Sequence, residues 1–189
     1  MPRLRGETKE AYIKNYGDET YKKHTDTTLD TYHGGTYVDT DSPSDVPIRF
    51  SHRPDHDMES MFWVLAFALL LAKPLGVPDQ ITPMFTSAWS ELHSHVATTV
   101  EGCDGRDRLL WFEKKDWALA LHPKLSSLSG MMTKLSYQVA PEYGRLETQP
   151  PQEHLHEAFR RILLQQILSM NDPIPLTPDI SRNPIFDAE

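Results

Sequence analysis

The sequence predicts a mainly α-helical domain, and three observations carry that prediction. Apolar residues recur at three- and four-residue spacings over several segments, one apolar run at residues 61–72 is too long for an ordinary strand, and no stretch alternates apolar with polar residues as a half-buried strand would. A chain of 189 residues with 39% hydrophobic and 24% charged content is long enough for one ordinary domain with a core. No internal repeat and no sustained heptad run is present.

In chain order, residues 7–24 are polar, with Tyr12, Ile13, Tyr16 and Tyr21 forming a weak helical stripe interrupted by Gly17, so one short, marginal helix is expected there. Residues 25–53 collect Thr, Asp, Ser and Pro together with Gly34 and Gly35. This composition predicts a long irregular N-terminal loop, of a length usually functional or disordered in compact domains. The next helix is expected to start at Asp57, which can cap exposed backbone N–H groups, with Glu59 favouring the positive end of the dipole. Its apolar run ends at Lys73 and Pro74. With apolar residues on every face, residues 61–72 are expected to be surrounded by protein at the centre of the fold.

Thr82 and Pro83 are a cap and first-turn signal for a helix carrying Phe85, Ala88, Trp89, Leu92 and Val96. Residues 102–105 break the pattern. Two short helical pieces follow, at residues 109–112 and 117–121, split near the charged residues 113–116 and anchored by Trp111 and Trp117. Leu125, Leu128, Met132, Leu135 and Val139 form a further helical face, and residues 141–151 a polar connection. The last helix places Leu155, Phe159, Ile162, Leu163, Ile167 and Met170 on one side, with Glu157 and Arg161 four apart in position for a modest surface pair. From Asn171 a proline-rich tail is expected.

Charge and cysteine usage bound the function. With 19 Lys and Arg against 27 Asp and Glu, the net charge is −8, and no basic cluster interleaved with aromatics offers a phosphate-backbone site, so nucleic acid is not expected as a partner. Cys103 is the single cysteine, which fits a reducing intracellular setting, cytoplasmic or nuclear. Residues 1–10 lack the apolar core of a secretory signal. The apolar run of about twelve residues falls short of the ~20 that span a bilayer, so no membrane association is expected.

Candidate chemistry is sparse. His52, Arg53, Pro54 and Asp55 superficially match a His-Arg-Asp catalytic loop, but Pro54 separates the arginine from the carboxylate and Ser60 stands where a metal-binding Asn is needed. A turn leading into a helix is the better reading. His52, His56, Asp55 and Asp57 form the densest group of candidate metal ligands, and Pro54 spoils a helical His-x-x-x-His face. The pairs His93/His95 and His154/His156 are two apart, splayed by about 200° on a helix. The nine histidines, His24 and His122 among them, are therefore read as scattered surface or capping residues. Cys103, beside Asp104, is read as an inert loop thiol because the carboxylate opposes thiolate formation. Gly102 and Gly105 lack the lysine of a phosphate-binding loop, and Gly34-Gly35 is only a flexible pair. No catalytic, cofactor-binding or metal residue is assigned.

Gly35-Thr36 and, after the long loop, His56-Asp57-Met58-Glu59-Ser60-Met61-Phe62-Trp63-Val64-Leu65 resemble the fungal-type protein kinase family, in which a Gly-Thr of the activation segment precedes an Asp-Leu-Glu-Ser-Phe-Phe-type helix start. His154-Leu155-His156-Glu157-Ala158-Phe159 is similar to the family's closing helix. The resemblance covers residues 34–170 and implies the later part of a kinase large lobe, a helical bundle, between a polar segment at 1–33 and the tail at 171–189. It marks Gly35, Thr36, Asp57, Glu59, Ser60 and Trp63 as structural motif residues, with Asp57 at the position that ties the central helix to the catalytic loop. A complete member uses ATP and magnesium to phosphorylate Ser or Thr. No segment upstream of Gly35 supplies the glycine-rich loop, strand lysine, catalytic Asp and Asn, or Asp-Phe-Gly site, and no Ala-Pro-Glu precedes the central helix. The expectation is a truncated kinase-like domain without autonomous catalysis and without a cofactor of its own, or alternatively a helical interaction module or scaffold. Its partner would be another protein or the missing kinase half. In either case the face of the central helix that a catalytic loop would cover must be covered otherwise or remain exposed.

Overall fold

The computed structural model describes residues 2–24, 54–93, 105–141, 143, 151, 153–177 and 182. The described residues are mainly helical and contain no strand. Their one isolated β-bridge joins Pro74 and Leu176 in antiparallel fashion. Eight α-helices are described: α1 (Gly6–Tyr16), α2 (Asp18–Lys23), α3 (Pro54–Leu71), α4 (Pro83–His93), α5 (Gly105–Leu110), α6 (Lys114–Ala120), α7 (Ser129–Val139) and α8 (His154–Ser169). A 3-10 turn at Pro123–Leu128 leads into α7. The long loop expected at 25–53 lies outside the described residues.

The chain divides into two compact units. One comprises Met1–Ser60 and Pro141–Ser169, the other Met61–Ala140 and Met170–Glu189, a different division from cuts at 33/34 and 170/171.

In the first unit the expected marginal helix is two helices hinged at Gly17. Gly17 ends α1 by donating its N–H to the Ile13 carbonyl and opens α2 by accepting from the Tyr21 N–H, at a φ of 86° that disfavours any residue with a Cβ. Short α2 gains from Asp18 and Glu19 in its first turn and Lys22 and Lys23 in its last, each matched to the helix dipole. Leu4, Tyr12 and Tyr21 form a buried cluster, with Ile13 and Leu164 packed against it. On α8, Leu155, Phe159 and Ile162 are buried as their spacing predicts, while Ile167 is exposed. Glu157 and Arg161 are buried too, so the face read as solvated is not.

The second unit is an aromatic-centred helical cluster. Trp117 of α6 is fully buried and takes Phe62 and Phe112 edge-on at 6.2 and 5.5 Å between centroids. Trp111 is 70% exposed, so of the two expected anchors only Trp117 serves. The cap of α4 is as the sequence indicates: Thr82 Oγ1 accepts the Phe85 N–H at 3.0 Å, with Pro83 at the first helical position. The same hydroxyl donates to the Leu119 carbonyl at 2.6 Å. The charged residues 113–116, expected to split two helical pieces, start α6 through a reciprocal capping box between Glu113 and Asp116. Leu125, Leu128, Met132, Leu135 and Val139 are all buried, the first two on the 3-10 turn. The described part of the tail pairs with the segment that follows α3: Leu75 donates to the Pro175 carbonyl and Thr177 to that of Lys73, each at 2.9 Å.

Two corrections concern α3. It begins at Pro54, so Asp57 lies inside the first turns and does not occupy the N-cap; proline is well suited to the first helical position because its missing N–H is not needed there. The helix is also not surrounded by protein. Phe62, Ala66 and Leu70 are fully buried, whereas Met61, Val64 and Phe67 are 52%, 69% and 43% exposed.

Candidate protein-docking face

The exposed residues of α3 in the second unit follow helical spacing. Met61, Val64 and Ala68 stand three and four apart, and Phe67 lies beside them, so they form one outward stripe opposite Phe62, Ala66 and Leu70. Phe67 continues the apolar surface onto α4. Its ring stacks on Trp89 at 5.4 Å and lies 6.2 Å from the exposed His93 ring, while Trp89 and His93 approach to 4.0 Å. Contiguous exposed side chains of this kind are rare on a free surface without a role, since leaving a Val or Met in water forfeits about 1.5–3 kcal/mol of burial.

Of the motif residues, Asp57 and Ser60 are exposed and Glu59 half-buried on α3. Half-buried Trp63 packs edge-on to Phe62 at 4.9 Å. Gly35 and Thr36 lie outside the described residues, as do His52, His95, Cys103 and the side chain of Asp55. Two buried histidines, His24 and His154, depart from the reading as surface or side-chain capping residues, while the buried His122 caps. His24 stands at the C-cap of α2 through its backbone alone, whereas His122 caps with its side chain, its Nδ1 accepting the Lys124 N–H and leaving Nε2–H to donate to the Pro78 carbonyl. Among the described residues, no group of three or more His, Cys, Asp and Glu is placed to hold a metal ion, and no helix is long and apolar enough to cross a membrane.

A dense polar cluster lies in the first unit. Glu157 Oε1 accepts from the Tyr12 hydroxyl at 2.5 Å and from Arg161 Nε at 2.6 Å, and Oε2 accepts from Arg160 at 3.1 Å. Arg161 also donates to the carbonyls of Tyr21 and Pro2, at 2.9 and 3.3 Å, with its guanidinium 4.4 Å from the Tyr21 ring and 5.3 Å from that of Tyr12. Burial and the carboxylate acceptor raise the Tyr12 phenol above its ordinary pKa. A carboxylate engaged at both oxygens by three donors is poorly placed to take a substrate proton, and the arrangement serves to lock α1 and α2 onto α8. Beside it, burial lowers the pKa of His24 and brings that of His154 down to about 4, so both imidazoles are neutral at pH 7.

The sequence did not reveal which face of α3 is open. A helix that is apolar all round carries no polar stripe to mark its solvent side. No protein-family model, no curated protein and no solved structure matches this chain.

Proposed function

We propose that the chain is a fungal-type protein-kinase-like helical domain that transfers no phosphate and acts by docking another protein on the outer face of α3. The observation that carries this reading is the uneven burial of that helix, with Val64 69% exposed at the centre of an apolar stripe. On the kinase-like reading, the face that a catalytic loop would cover is either covered by something else or left open, and the exposure of Met61, Val64 and Phe67 supports the second. The residue resemblance at 56–65 supports the family, and the lack of an ATP-binding and catalytic motif set in these 189 residues supports non-catalysis, because phosphoryl transfer depends on positioning and charge stabilisation by those groups. ATP and magnesium belong to a complete member and not to this chain. A kinase small lobe supplied in trans is the leading partner. An intracellular site of action, cytoplasmic or nuclear, is part of the same reading and rests on the lone Cys103.

The stripe is tested with Val64→Glu. An exposed helix position tolerates Glu, so the melting temperature should move by the equivalent of no more than about 0.5 kcal/mol. Fluorescence enhancement of an apolar dye such as 8-anilinonaphthalene-1-sulfonate on the native chain should fall severalfold. A cooperative loss of several degrees in melting temperature, or unchanged dye binding, would show that the face is not an open surface.

A further inference from the structure

Arg182 is fully buried, yet its binding partners come from residues far from it in the chain. Its Nε donates to Asp79 Oδ1 at 2.9 Å. Nη1 reaches the carbonyls of Ala120 at 3.2 Å and Leu70 at 3.4 Å, and Nη2 reaches that of Gln80 at 2.6 Å. The face of the guanidinium lies 4.2 Å from the centroid of the buried Phe85 ring.

The chemistry of this enclosure is specific. Leu70 and Ala120 stand in the last turns of α3 and α6, where helix carbonyls have no intrahelical partner and need a donor. Gln80 supplies a third carbonyl and Asp79 the carboxylate, so four oxygens converge around one planar cation with an aromatic ring against its face. A guanidinium presents a rigid fork of five N–H donors and stacks on rings. An ammonium has three donors on a single atom and cannot reach four acceptors set around a plane. All of the oxygens belong to residues 70–120, so the enclosure is built without the tail that fills it.

We infer that the second unit holds an arginine-binding socket, formed by Leu70, Asp79, Gln80, Phe85 and Ala120, which is filled in cis by Arg182 and accepts the arginine side chain of another chain when Arg182 is out of it. The tail is then a tethered ligand. Its described segment is held at Lys73 and Leu75 by backbone hydrogen bonds that any extended peptide could make, and the arginine supplies the selectivity. This inference is independent of the docking face on α3.

The test uses the full chain carrying Arg182→Ala, with N-acetyl-arginine methylamide as the probe and N-acetyl-lysine methylamide as its control. Removing the cation leaves buried oxygens unpaired, and the melting temperature should fall by about 10 °C. The arginine derivative at tens of millimolar should recover several degrees in this variant and none in the unsubstituted chain, with the lysine derivative at least threefold less effective. Equal recovery by both derivatives, equal response of the unsubstituted chain, or an unchanged melting temperature in Arg182→Ala would overturn the inference. Should Arg182→Ala not fold, Arg182→Lys decides: a melting temperature well below that of the unsubstituted chain supports a guanidinium socket, and one equal to it overturns the socket.

Discussion

Among the described residues each compact unit holds one fully buried arginine, and the two solve the problem of a buried charge differently. In the first, Arg161 is neutralised by Glu157 one helical turn away, itself only 2% exposed. In the second, Arg182 meets a carboxylate, Asp79, that is 20% exposed and 103 positions away in sequence, and backbone carbonyls make up the remaining hydrogen bonds. An unpaired buried ion is far more costly than an unpaired dipole. Both arginines also have carbonyl acceptors, so the first unit should depend more on its carboxylate, because Glu157 is buried while Asp79 reaches solvent.

Glu157→Gln gives the largest expected effect. It keeps the shape but removes the buried counter-charge of Arg161, which the Tyr21 and Pro2 carbonyls do not replace, at a cost of about 3–5 kcal/mol. Hydrogen exchange of the α1 and α8 amides should rise by two or more orders of magnitude. Asp79→Asn should be milder, about 2 kcal/mol, because Asp79 is partly solvated and three carbonyls and the Phe85 ring remain around Arg182. Equal losses in the two variants would break the distinction between the units.

Acid sharpens it next. His154 is held at a pKa of about 4, against about 6.5 for an exposed imidazole, and burial lowers His24 in the same direction. The folded state therefore binds fewer protons than the unfolded state between these values. Stability is fully present above about pH 6.5, falls as the pH drops towards 4, and by then has lost up to about 3 kcal/mol from His154. Thermal melts from pH 7 to 4 should show amide protection in α1 and α8 declining before that in α4 and α7, and His154→Gln should flatten the decline. A smaller effect is expected for Gly17→Ala. No atom stands within 4 Å of the added Cβ, so the cost is the strain of a positive φ, about 1 kcal/mol, read as a lower melting temperature.

The contrast also explains what the sequence could convey. Helical periodicity marked α4, α7 and α8, and the Thr82-Pro83 signal placed a cap where one stands, because these features rest on neighbours within a turn or two. The Glu157–Arg161 spacing was equally legible, but its burial was not. That burial depends on Tyr12 and Tyr21 arriving from more than a hundred residues away. Arg182 gave no local sign at all, since none of its five partners is a sequence neighbour. On α3 the apolar run revealed the helix but not its open side, and the marks at Gly35 and Thr36 lie outside the described residues.

The central proposal is that this chain docks a partner and handles no nucleotide. Calorimetric titration of the folded 189-residue chain with ATP, with and without magnesium, tests it most directly. The account predicts no heat of binding in either condition from a chain that melts cooperatively. Saturable, magnesium-dependent heat would contradict it and assign a nucleotide site to residues read here as helix starts and loop.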